Sequence, residues 1–205
     1  GSSTEPSRTS SPQGGIKFPS EIKDWAQDLN GQWGFGSYFL FKTQNPVDKM
    51  IFWGRIPMIL LLIFLGFLLF KFAREYFGEK VALLSLFFYS FSPTFLAHGR
   101  LVTTDVGAAF GAVLASYFFL KFLHIPNPKN IILAGIAFGI AQLLKFSLIL
   151  LFPFFGILFL FWIIFRIEKE KIAQFFFYGA KIAIIFAIAS FVIWIVYFYH
   201  VLNLP

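Results

Sequence analysis

Long apolar runs separated by short polar breaks organise this chain. Six stretches read as membrane-crossing helices, at residues 51–72, 81–97, 104–123, 131–144, 148–165 and 173–199. The first, IFWGRIPMILLLIFLGFLLFKF, has the required length, since about 20 helical residues cross an apolar layer of some 30 Å. Pro57 falls near its start, where a missing N–H matters least. The 81–97 run barely reaches that length and carries Pro93, which should end or kink it. Residues 131–165 are almost continuously apolar, and one straight helix of that length would measure about 50 Å. That exceeds one crossing, so a break is expected near 143–147, around Lys145. The pattern predicts an all-α fold, a polytopic transmembrane helix bundle of about six spans over residues 51–205.

The flanks differ. Residues 1–15 are rich in Ser, Pro and Gly without apolar period and read as a disordered or linker segment. Residues 16–50 mix Trp25, Trp33, Phe35, Tyr38 and Phe39 with Asp24, Asp28, Lys42 and Asp48. Such rings collect at headgroup depth, so this is expected to be an external, aromatic-rich juxtamembrane segment, with 21–29 as a short interfacial helix.

Composition agrees with lipid as the solvent. The chain is 58% hydrophobic and 13% charged, against about 25% charged in soluble domains. Membrane lipids are therefore the first expected partners. Cysteine is absent, which excludes a disulfide framework and a thiolate metal site. The net charge of +7 is spread between apolar runs, which speaks for topology signals and against nucleic acid as a partner. The turns at 71–80, 121–130 and 166–171 hold eight Lys/Arg, and those at 98–103 and 143–147 hold two, Arg100 and Lys145. The Lys/Arg excess faces the cytoplasm, so His98–Asp105 and Lys145 are expected outside; the expected setting is a prokaryotic plasma membrane, to which an organelle lumen is topologically equivalent. Small residues recur every four positions at Gly107/Gly111/Ala115, Gly135/Gly139 and Gly179/Ala183/Ala187, a spacing that lets membrane helices approach closely.

Against this background one polar island stands out, Leu96-Ala97-His98-Gly99-Arg100-Leu101-Val102-Thr103-Thr104-Asp105. Polar groups are expensive at membrane depth and mark sites. Asp105 has a plain role in the first turn of a helix capped by Thr104. Its functional reading is a carboxylate at the mouth of a cavity, meeting a polar substrate or a divalent cation. Arg100 and Lys145 either snorkel to the interface or bind a phosphate, as does Arg55 in the first span. His98 is a structural hydrogen-bonding residue or a member of the same site. There is no phosphate-cradling glycine loop, no metal-ligand His pair and no Ser/His/Asp arrangement.

These residues carry a resemblance. Phe91–Gly107, with Arg100 and Asp105 five apart at the opening of a helix, resembles the second acidic motif of the protein O-mannosyltransferase and aminoarabinose-transferase family of GT-C membrane glycosyltransferases. Gly139–Ser147, containing Lys145, is similar to the family's lysine-aromatic segment, and Trp53–Pro57 to the arginine-bearing start of an earlier span. The resemblance covers roughly 45–200 and implies a GT-C-like core. It implies inverting transfer of a sugar from a polyprenyl-phosphate carrier to a protein or lipid acceptor at the outer face. Asp105 would be the second acidic residue, supporting catalysis or a metal, while Lys145, Arg100, His98 and Arg55 would bind the carrier phosphate. No cofactor beyond that divalent cation is implied. The family's first helix and its Asp-Glu loop would precede residue 45, and residues 16–50 hold no Asp-Glu pair. The expectation is an N-terminally incomplete core, inactive as a fragment if that loop is indispensable. The competing class is a multipass transporter or lipid flippase, which would place its polar site near the midplane of two related halves.

Overall fold

The computed structural model describes residues 31–43, 45–101, 103–166 and 170–202. The expectations for 1–15 and for a helix at 21–29 lie outside these residues. The chain divides into two compact units, 1–54 and 55–205.

In the first unit, helix α1 spans Gly31–Phe41. The sequence offered only alternating rings and charges here, yet Phe35 and Phe39 stack one turn apart with centroids at 6.2 Å, a pairing that supports a helix. Its end is closed by side chains. The Thr43 hydroxyl donates to the Phe39 carbonyl, and Asn45 Nδ2 donates to the same oxygen at 3.0 Å and to Thr43 Oγ1 at 2.6 Å.

Helix α2 spans Val47–Phe77. It is followed in the second unit by α3 (Glu79–Ser90), α4 (Pro93–His98), α5 (Thr104–His124) and α6 (Pro128–Leu144). A 3₁₀ turn (Phe146–Leu150), α7 (Leu151–Arg166) and α8 (Lys171–Leu202) complete it. No strand occurs among the described residues. The fold is an all-α membrane helix bundle. Among the described residues, four stretches are long and apolar enough to cross a membrane: α2, α5, Phe146–Arg166 and α8. Helix α6 is apolar but has 17 residues.

Three boundaries depart from the sequence reading. The 81–97 run is two helices, because the backbone turns at Phe91-Ser92 and Pro93 opens α4. Proline suits a first turn and cannot continue a preceding helix. Helix α2 begins at Val47, so Pro57 lies in its interior and not in its first turn. It ends at Gly78, whose φ of 88° is open to glycine and strained for other residues. Helix α5 begins at Thr104 with Thr103 at the N-cap position, and neither supplies a side-chain cap.

Helix α6 is the centre of the second unit, packed on α5 along one side and α8 along the other. Glycines make this possible. A Cβ on Gly135 would lie 2.7 Å from Ile188 Cβ and 2.9 Å from the Ile185 carbonyl of α8, and one on Gly139 would lie 3.0 Å from the Ala189 carbonyl. On the other face, a Cβ on Gly111 of α5 would lie 3.0 Å from Ala141 Cα. The Gly179/Ala183/Ala187 stripe behaves differently: nothing lies within 4 Å of a Cβ built on Gly179. Spacing alone does not distinguish a packed stripe from an unpacked one. Phe119 and Phe155 stack with centroids at 4.2 Å inside a core that also holds Phe122, Phe138 and Phe159. Many other large apolar side chains point outward, as expected where the surroundings are lipid.

Helix α2 joins the bundle mainly through side chains. Tyr89 Oη of α3 donates to the Leu62 carbonyl at 2.7 Å. Near the far end of α5, the buried Tyr117 donates to Glu75 Oε2 of α2 at 2.6 Å and accepts from Lys121 Nζ at 2.9 Å. Tyr117→Phe removes this bridge while keeping the ring. It should lower stability by about 1 kcal/mol, read as a drop in the midpoint of thermal unfolding in detergent.

Candidate functional site

The site is built where α5 starts and α6 stops. Gly107 and Gly111 leave room for α6 to lie close, with Leu144 Cδ2 3.6 Å from where a Gly107 Cβ would sit. This brings the last residue of α6 against the first turns of α5. The chain then leaves the helix at Lys145, whose backbone is extended (φ −157°, ψ 126°). Its N–H donates to the Ala141 carbonyl at 3.3 Å, and its own carbonyl accepts from Leu148 N–H at 3.0 Å. The residue is thus held on both sides at the break while its side chain is free to reach out.

It reaches Asp105. Lys145 Nζ donates to Asp105 Oδ1 at 2.8 Å, across 40 positions of sequence. His98, the last residue of α4, approaches from the other side, with Nδ1 3.6 Å from Asp105 Oδ2. That separation is beyond hydrogen-bond length. Nδ1 of His98 and the hydroxyl of Thr103 are shielded from solvent and have no hydrogen-bond partner. Shielded polar atoms are normally paired, so these two unspent groups within seven residues of Asp105 are unusual. A cavity of about 290 Å³ opens here, lined by Thr94, Phe95, His98, Asp105 and Val106. The Asp105 side chain is 51% exposed, so the cluster lies at an open mouth and not in a sealed core.

Of the five residues singled out in the sequence, three meet: Asp105, Lys145 and His98. Arg100 lies in the turn after α4, exposed, and forms no ion pair among the described residues. Arg55 is exposed on α2 and likewise forms none. Charge and position in the pattern suggested both, but neither is drawn to the carboxylate. Thr103 and Thr94 were not singled out. The signal for Thr103 was its place at the helix start; its failure to cap the helix is a matter of geometry that no sequence displays.

The donor set does not fit a divalent cation at Asp105. No group of three His, Cys, Asp or Glu residues suited to a metal occurs among the described residues. The ammonium of Lys145 stands against the carboxylate where a cation would bind, and like charges there repel. A half-exposed carboxylate beside an ammonium can accept from a hydroxyl and donate to an anion.

The second unit is thus an integral membrane helix bundle with a polar site at one end of α5. The chain belongs to the dolichyl-phosphate-mannose-protein mannosyltransferase family, whose model matches residues 44–194. This is a family of glycosyltransferases of the GT-C type that use a lipid-linked sugar. The matched region contains Arg55, His98, Arg100, Asp105 and Lys145. No curated protein and no solved structure matches the chain.

Proposed function

We propose that this chain takes part in moving a sugar from a polyprenyl-phosphate carrier to a hydroxyl of a protein or lipid acceptor at the outer membrane face. The observation that carries the reading is the Lys145–Asp105 contact at 2.8 Å beside the cavity at the start of α5. In such a transfer the bond from the anomeric carbon to the carrier phosphate breaks as the bond to the acceptor oxygen forms. Polyprenyl phosphate leaves with the bonding electrons, and the acceptor proton passes to a carboxylate base. Negative charge grows on the leaving phosphate, and a fixed ammonium there stabilises the transition state.

Lys145 supplies that ammonium. One of its three N–H donors is spent on Asp105, which holds it at the mouth, and the other two remain for phosphate oxygens. Asp105 positions Lys145, and its exposed carboxylate also offers an acceptor to a sugar hydroxyl. In the family resemblance the base belongs to an Asp-Glu pair, so Asp105 serves the donor side. The Lys/Arg excess at the opposite turns supports an outer-face location for this end.

Donor binding tests the reading. Purified protein in nanodiscs should bind a fluorescent polyprenyl-phosphate mannose saturably, and Lys145→Gln should weaken that binding about tenfold or more, as expected for a lost charge-assisted contact. Equal binding by wild type and Lys145→Gln would sink the proposal. So would accumulation of a labelled solute in proteoliposomes without glycosyl transfer, which belongs to a transporter.

A further inference from the structure

A second polar cluster lies toward the other end of α5, and the sugar-transfer reading does not use it. Lys121 is 16 residues from Asp105 along the helix, about 24 Å at 1.5 Å per residue. A cavity of about 270 Å³ there is lined by Glu75, Tyr76, Lys121, His124 and Ile125.

Three features set it apart from a rim of solvated lysines. Its polar wall is fixed by a buried group. Tyr117 is 1% exposed and bridges Glu75 Oε2 at 2.6 Å and Lys121 Nζ at 2.9 Å, while Lys121 Nζ also stands 3.2 Å from Glu75 Oε1. Both carboxylate oxygens are therefore engaged, whereas the ammonium keeps a donor to spare. The His124 ring is likewise held, with Tyr76 at 5.6 Å and Trp162 at 4.7 Å between centroids.

The charge is also unbalanced. Lys71 lies one turn before Glu75, with its ammonium 5.8 Å from the Tyr117 ring, and Arg74 is its neighbour. The Arg166 guanidinium sits 5.7 Å over Trp162. None of these three forms an ion pair among the described residues. Finally, an apolar cleft of about 230 Å³, lined by Leu69, Phe72, Ala73, Phe77, Val81 and Ser85, adjoins the cluster. Phe72 lines the cleft and Tyr76 the polar cavity, with the two rings 5.1 Å apart. A cationic cavity and an apolar cleft share an aromatic divider.

We infer that this end of the bundle is a binding site for an anionic phospholipid. Its phosphodiester is held at Lys121 and His124, Lys71 and Arg74 supply the surplus charge, and one acyl chain lies in the cleft between α2 and α3. Basic pockets between membrane helices recognise anionic headgroups through this combination. The shared chemistry is a phosphate group, which free phosphate also offers, so the test has two arms.

In nanodiscs of phosphatidylcholine with a minor fraction of phosphatidylglycerol, native mass spectrometry should find phosphatidylglycerol retained on the wild-type chain. Retention should fall about fivefold or more in Lys71→Gln/Arg74→Gln. Both residues are exposed and outside the Tyr117 bridge, so an unchanged unfolding midpoint shows that this variant is folded. Lys121→Arg, which keeps the charge, should retain the lipid. In lipid-depleted detergent, inorganic phosphate should stabilise the protein less than phosphatidylglycerol does; stabilisation by phosphate alone assigns the site to a soluble anion and overturns the lipid. Equal retention of the two lipids, or full retention by the double variant, also overturns the inference. Asp105→Asn should leave lipid retention unchanged, so this result stands or falls separately from sugar transfer.

Discussion

In a version that carries the Asp-Glu loop, Asp105→Asn is expected to cut sugar transfer by about a hundredfold or more, the scale on which a misplaced transition-state charge contact acts, while the bundle stays folded. Asparagine keeps the shape and removes the charge. The Lys145 ammonium, now 2.8 Å from Oδ1, loses the anion that holds it at the mouth of the cavity. A Lys–Asp pair this exposed adds little to stability, so the unfolding midpoint should barely move. That separation is the informative part of the result. Turnover of a polyprenyl-phosphate sugar in membranes carrying the variant, measured beside its thermal unfolding, checks both. Wild-type turnover in Asp105→Asn would remove this residue from the proposed site. Asp105 and Lys145 are in direct contact, so their effects should not add. The double variant Asp105→Asn/Lys145→Gln should lose little more than the worse single one.

The second large effect concerns packing. Gly135→Val should destabilise the bundle by about 1–3 kcal/mol, the usual cost of forcing extra carbon into a filled interface. The first added carbon would already lie 2.7 Å from Ile188 Cβ and 2.9 Å from the Ile185 carbonyl. A helix backbone cannot give way there as a flexible side-chain end would. Gly179→Ala is the control, since nothing lies within 4 Å of its new carbon, and alanine favours the helix by up to about 1 kcal/mol over glycine. Thermal unfolding in detergent, followed by fluorescence-detected gel filtration, should show a fall for the first and no fall for the second. Equal midpoints for the two variants would mean that α6 and α8 are not packed as described.

Much of the candidate site was legible before any coordinates. Asp105 and Lys145 each interrupt an apolar stretch, and an isolated charge in such a setting is conspicuous. Arg100 and Arg55 are as conspicuous by that criterion and yet form no ion pair among the described residues. A sequence pattern shows that a charge is costly at a position but not which neighbour relieves the cost. The partner of Asp105 was open in the sequence for a related reason. A lone carboxylate in sequence is open to a metal or an ammonium, and the choice fell to Lys145, which lies 40 positions away and arrives by helix packing.

The sequence by itself determined the all-helical membrane bundle. Lengths of apolar runs and the chemistry of proline are local properties, and lipid leaves the backbone few alternatives to the helix. It also marked Asp105 and Lys145 as isolated charges in apolar stretches. Only the tertiary structure decided that Gly107, Gly111, Gly135 and Gly139 are packing surfaces while Gly179 is not. It alone decided that His98 joins Asp105, and that Thr103 opens α5 without capping it. These outcomes depend on which helix faces which, and that is set by the sum of many side-chain fits across α5, α6 and α8, not by any residue's own preference.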